Sequence, residues 1–81
     1  MDIAAITKRA IEETLGIDEG VVPTAKLVDL GIDDIDAIDI ILTVEEELNI
    51  SIDQEDEYEL MEPGATVQTV IDLFTKLSQK S

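Results

Sequence analysis

A helix start in the middle of the chain most strongly constrains what this sequence can fold into. It lies in the run from Leu30 to Ile40, which reads LGIDDIDAIDI. Gly31 favours the end of a loop, and Asp33 and Asp34 favour a helix start, because an aspartate can cap free amides and sits well at the positive end of the helix dipole. We therefore expect a helix that begins at Asp33 or Asp34 and whose first turn is the functional site.

The apolar residues after this start recur at helical spacing and predict an amphipathic helix from Asp34 to Leu48. The expected core face consists of Ile38, Ile41, Leu42, Val44 and Leu48. Asn49 suits the helix end, since asparagine tolerates a left-handed backbone. The link 50–52 alternates apolar and polar residues, so we expect it to be extended and to bury both isoleucines.

Three further helices are predicted from the same signals. The first follows Asp2, ends before Gly16 and buries Ile3, Ile6, Ala10, Ile11 and Leu15. A short third helix follows Asp53 with only Tyr58, Leu60 and Met61 as anchors. The last follows Thr66, buries Val67, Val70, Ile71, Phe74 and Leu77, and gives way to a frayed tail over 78–81.

The interval between the first two helices is a long loop, and we expect apolar side chains to anchor it to the core. The candidates are Ile17, Val21, Val22, Leu27, Leu30 and Ile32. Together the elements predict an all-α fold: one domain over residues 1–81, built as a small four-helix bundle of three longer helices and a short third one. We expect its interior of isoleucine and valine to be closely packed, with no large cavity.

Composition excludes several classes of function. The chain has no cysteine and no histidine, so it lacks thiol chemistry, disulfides and the usual general base, and we expect no enzyme activity. Its amino-terminal residues do not resemble a signal peptide, and no run is apolar enough to span a membrane. A soluble cytoplasmic protein is the expectation.

The formal net charge is −15, and no lysine or arginine lies between Lys26 and Lys76. A negative charge of this size repels nucleic acid and anionic membranes, and it attracts basic surfaces of protein partners. The simpler alternative is that the acidic runs are solvated faces that keep the chain soluble.

Clustered aspartates raise the alternative of a metal or acid–base site. The cluster comprises Asp29, Asp33, Asp34, Asp36 and Asp39. No register of it supplies the ligand spacing, glycine and final glutamate of an EF-hand, so we predict no dedicated metal site. Two carboxyls acting on a sugar need a cleft, which so small a core does not offer, and capping explains Asp33 and Asp34 better.

The run from Leu30 to Asp36 resembles the Leu-Gly-x-Asp-Ser-Leu-Asp segment of acyl carrier proteins. The amphipathic helix that follows it ends in Glu45-Glu46-Glu47, as that family's second helix does. Two positions differ: Ile35 replaces the family's leucine, and Asp34 replaces its serine. The resemblance spans nearly the whole chain and implies the fold of an acyl carrier bundle.

In acyl carrier proteins that serine bears a 4′-phosphopantetheine arm. Acyl groups are attached to this arm as thioesters during fatty-acid, lipid or polyketide-type synthesis. The resemblance therefore places the cofactor site at Asp34, between Asp33 and Ile35. It implies a monomer that works with a phosphopantetheinyl transferase and acyl-processing enzymes, whose basic patches would bind Asp36, Asp39, Glu45 and Glu46. It further implies that an acyl chain could enter a cleft beside the third helix.

Asp34 cannot carry the arm, because a carboxylate is a poor nucleophile and would form a hydrolysable acyl phosphate instead of a stable ester. The serines at 51, 78 and 81 do not follow an aspartate at a helix start. Two explanations stay open: an engineered replacement of serine, or a natural relative that has lost the arm. The alternative function is an arm-less acidic interaction module that binds basic partner surfaces.

Overall fold

A computed structural model describes residues 2–17 and 20–80 and shows four α-helices, with no β-strand within these ranges. The helices are α1 (Ile3–Leu15), α2 (Asp34–Leu48), α3 (Gln54–Leu60) and α4 (Val67–Lys80). Helix α1 packs against α2 and α4, and the short α3 contacts α2 and α4. The predicted all-α bundle with three longer helices and a short third one is confirmed.

Most helix ends lie where local chemistry predicts them. The Asp2 carboxylate accepts a hydrogen bond from the Ala5 amide at 3.1 Å, and Gly16 ends α1 with φ of +72°. Asn49 ends α2 in the left-handed conformation, with φ of +56°. The Thr66 hydroxyl accepts from the Thr69 amide at 3.2 Å at the start of α4. Asp53 differs, because its side chain makes no capping hydrogen bond to α3.

The carboxyl end of α4 corrects the predicted frayed tail. The helix continues to Lys80, so the prediction is wrong for residues 78–80, and Ser81 lies outside the described residues. Within this last part of the helix, the Ser78 hydroxyl donates to the Thr75 carbonyl oxygen at 2.9 Å.

The core face of α2 is only partly the predicted one. Its buried residues are Ala37, Ile40, Ile41 and Val44, whereas Ile38 and Leu42 are 39% and 51% exposed. The buried set recurs at three- and four-residue spacing on one side of the helix, and Ile38 and Leu42 lie on another side. Their assignment to the core was therefore wrong.

The long loop between α1 and α2 is fixed by main-chain hydrogen bonds to the segment that begins α4. Leu27 N donates to the Ala65 carbonyl at 3.0 Å, and Val67 N donates to the Ala25 carbonyl at 3.0 Å. Val21, Leu27 and Ile32 are buried as predicted and Leu30 partly so, but Ile17 and Val22 are exposed. The backbone pairing supplies anchoring that these two side chains were expected to provide.

The segment after α2 is less buried than predicted. Ile50 and Ile52 are both half-buried, although Ile52 packs against the core. In α3 Leu60 is buried, and Met61 after it is half-buried, but Tyr58 is 59% exposed and is no anchor. The third helix therefore attaches to the bundle mainly through Leu60.

An apolar cavity of only about 10 Å³ lies among α2, α3, α4 and the long loop. Its lining is Leu27, Ala37, Ile40, Ile41, Leu60 and Val70. A water molecule needs roughly this much space and also polar partners, which these side chains lack. The prediction of a closely packed interior is confirmed at this position.

Thr7 is the buried polar residue of α1, and its hydroxyl has no hydrogen-bond partner among the described residues. Valine has nearly the same shape and no polar group to leave unsatisfied. Thr7→Val should therefore raise the free energy of unfolding by about 1 kcal/mol, measured by urea denaturation. Thr14→Val is the matched control, because the Thr14 hydroxyl donates to the Ala10 carbonyl at 2.9 Å and that bond would be lost. A Thr7→Val protein no more stable than the parent would contradict this.

Candidate functional site

The turn before α2 fixes where that helix begins. Leu30 N donates to the Lys26 carbonyl at 3.2 Å, and Ile32 N donates to the Leu27 carbonyl at 3.1 Å. Gly31 lies between these bonds with φ of +79°, a conformation that glycine adopts without steric cost. Because the Leu27 and Ile32 side chains are both buried, this turn is anchored in the core and holds the start of α2 firmly.

Asp33 is the N-cap of α2, as the sequence predicts. Its carboxylate oxygen Oδ1 accepts a hydrogen bond from the Asp36 amide at 2.8 Å, and its carbonyl accepts from Ala37 N at 2.9 Å. One capping side chain and one main-chain oxygen thus satisfy two amides of the first turn. The remaining amides of that turn stay open to solvent.

Asp34 is the first residue of α2 and is exposed. Its carboxylate, its amide and the amide of Ile35 have no hydrogen-bond partner within the described part of the chain. Two free amides and the positive end of the helix dipole therefore face solvent around position 34. Such an arrangement suits an anionic phosphate group.

The side chain at this position fits a phosphopantetheine arm less well than the main chain does. The free amides would hold a phosphodiester, but Asp34 offers a carboxylate where attachment needs a hydroxyl. The site therefore has the main-chain geometry for the phosphate and lacks the nucleophile that would form its ester.

An exposed apolar stripe runs along α2 from this first turn. It consists of Ile35, Ile38 and Leu42, of which Ile35 is the most open at 72% exposure. Their spacing of three and four residues puts them on one side of the helix, away from its buried face. Spacing alone predicts that Ile38 and Leu42 face the core, so this surface was not predicted from the sequence. The available signal was that α2 has more apolar residues than one core-facing side can hold.

The four predicted docking residues differ in their surroundings. Asp39 and Glu46 are exposed and lie four residues after Ile35 and Leu42, so they flank the apolar stripe. Asp36 is half-buried in the first turn. Glu45 is half-buried too, and its Oε2 accepts a hydrogen bond from Ile52 N at 2.9 Å.

Within residues 2–17 and 20–80, no group of three or more acidic residues is arranged to hold a metal ion. None of the helices in these ranges is long and apolar enough to cross a membrane. The candidate functional features described above are the first turn of α2 and the stripe beside it.

One comparison with known protein families covers most of the chain. The family model described as the phosphopantetheine attachment site matches residues 6–74, a range that contains α2, α3 and the whole turn before Asp34. The cofactor of that family is 4′-phosphopantetheine, and its members are carriers of acyl groups tethered through it. The chain belongs to the phosphopantetheine attachment site family and has its acyl-carrier type of fold.

Proposed function

We propose that this chain, as one domain over residues 1–81, is a carrier of the kind that serves fatty-acid, lipid or polyketide-type synthesis, but takes up no arm in its present form. The observation that carries the proposal is the place of Asp34: it is the exposed first residue of α2, beside two free amides. The free amides and the helix dipole at this turn suit a phosphate, whereas the side chain at position 34 lacks the nucleophile.

A carboxylate at position 34 leaves two explanations of the sequence, an engineered replacement of serine and a natural chain without an arm. In both, restoring the hydroxyl should restore attachment. The test is the intact mass of the Asp34→Ser protein after incubation with coenzyme A and a phosphopantetheinyl transferase. We expect the domain to have no catalytic activity of its own.

The proposed partners are that transferase and acyl-processing enzymes with basic surfaces. The stripe of Ile35, Ile38 and Leu42 would supply the apolar centre of the docking surface. Its acidic surround would be Asp36, Asp39, Glu45 and Glu46. An apolar centre with a charged rim is the usual composition of a protein interface, and charge complementarity sets orientation and association rate. The same charges disfavour nucleic acid, and we propose a cytoplasmic monomer.

The second candidate is an arm-less acidic module that occupies such partner surfaces without delivering an acyl group. Asp34 favours it, because a carboxylate there puts a permanent negative charge where a carrier would have its phosphodiester. Both functions use the same docking surface. They are separated by whether the Asp34→Ser protein accepts the arm.

The docking surface can be tested through the rate of arm transfer in the Asp34→Ser background. The double variant Asp39→Asn/Glu46→Gln should lower kcat/KM of the transferase at low salt by roughly 3- to 10-fold, because it removes charge beside the stripe. Glu13→Gln/Glu62→Gln is the control, since both residues are exposed, lie outside α2 and give the same change in net charge. Equal losses in the two double variants would show that net charge acts without a docking surface on α2.

A further inference from the structure

Glu45 holds the segment after α2 with both its main chain and its side chain. Its carbonyl oxygen accepts from the amides of Asn49 and Ile50, the latter at 3.1 Å. Its carboxylate oxygen Oε2 accepts from Ile52 N at 2.9 Å. One residue thus fixes three donors along the link that leads to α3.

Helix α3 has few other attachments. It is seven residues long, Leu60 is its buried residue, and Asp53 gives it no side-chain cap. Among residues 2–17 and 20–80, the bond from Ile52 N to Glu45 is the only side-chain hydrogen bond between α2 and the link. A short helix with one buried anchor depends on how its connection is held.

Glu45 differs from the two glutamates that follow it in its burial and its hydrogen bonding. Glu46 and Glu47 are exposed, whereas Glu45 is half-buried and its carboxylate is engaged by a main-chain donor. The side chain of Glu45 can therefore stabilise the link through an accepted hydrogen bond, which the side chains of Glu46 and Glu47 do not make within the described residues.

We propose that Glu45 is a positioning residue, whose side-chain oxygen accepts the Ile52 hydrogen bond, holds the link 50–52 and thereby sets the place of α3 on the bundle. Leu60 of α3 forms one wall of the small apolar cavity against α2, so this bond also keeps that cavity closed. The role is internal to the fold and is separate from any charge that Glu45 contributes to docking. It does not depend on whether position 34 can bear an arm.

The experiment measures amide hydrogen exchange of the whole chain by NMR. One variant changes the length of the Glu45 side chain and the other changes its charge. Glu45→Asp keeps the charge but shortens the side chain by one methylene, and it should speed exchange at Ile52 N by about 10-fold or more. Exchange at Leu60 N should rise with it, while α1 and α4 stay protected. Glu45→Gln loses the charge but keeps an acceptor oxygen, and it should hold exchange within about 3-fold of the parent.

Glu46→Asp is the matched control, because it makes the same change one residue later on an exposed side chain. It should leave exchange at Ile52 and Leu60 as in the parent. The proposal is overturned if Glu45→Asp leaves either amide unchanged, if Glu46→Asp speeds both equally, or if Glu45→Gln fails to preserve protection. The last result would mean that charge, and not the accepted hydrogen bond, holds the link.

Discussion

Asp34→Ser protein should gain the mass of one phosphopantetheine group when it is incubated with coenzyme A and a phosphopantetheinyl transferase, while the parent chain gains none. The serine hydroxyl would stand at the first position of α2, where two free amides and the helix dipole suit the incoming phosphate. Intact mass measures the product directly. The change is from no attachment to complete attachment, since the turn that holds position 34 is already in place.

The substitution should cost little stability. Serine and aspartate both suit a helix start, so we expect their free energies of unfolding to differ by at most about 1 kcal/mol. Asp33→Ser is the matched control, because it places a hydroxyl one residue earlier while Asp34 stays, and it should gain no mass. If Asp34→Ser folds normally and remains unmodified with several transferases, the arm-less interaction module becomes the better function.

The start of α2 could be predicted from sequence because it rests on local chemistry. Gly31 adopts a positive φ and Asp33 caps the next turn, and both effects act within a few residues. The same holds for Gly16 and Asn49 at helix ends. Since position 34 takes its exposure and its free amides from this local geometry, the candidate site could be located without knowledge of the packing.

The docking stripe and the role of Glu45 could not be predicted in this way, because both depend on contacts between distant segments. Helix α2 is apolar on more than one side, so spacing alone did not decide whether Ile38 or Ile40 would face the core. The bond from Ile52 N to Glu45 joins residues seven apart, across a helix end. The pairing of Leu27 with Ala65 likewise joins segments that no local pattern connects.

The orientation of α2 can be tested by comparing the free energies of unfolding of variants at two adjacent residues. Ile41 is 2% exposed and lines the small cavity, whereas Leu42 is 51% exposed. Ile41→Ala should lower the free energy of unfolding by about 2–5 kcal/mol, because it removes buried methyl groups and leaves a void. If the parent domain has about 5 kcal/mol of stability, the Ile41→Ala protein should keep only about 0–3 kcal/mol.

Leu42→Ala is the matched comparison and should cost less than about 1 kcal/mol, because a half-exposed side chain loses little burial. Urea denaturation followed by the helical circular dichroism signal measures both values. Both substitutions leave alanine, which has the highest helix propensity, so intrinsic propensity does not explain a loss of stability. Equal losses would mean that Leu42 packs in the core, as its spacing alone suggests, and would remove it from the proposed docking surface. A large loss for Ile41 alone would show that Leu42 lies outside the core, as the proposed docking surface of Ile35, Ile38 and Leu42 requires.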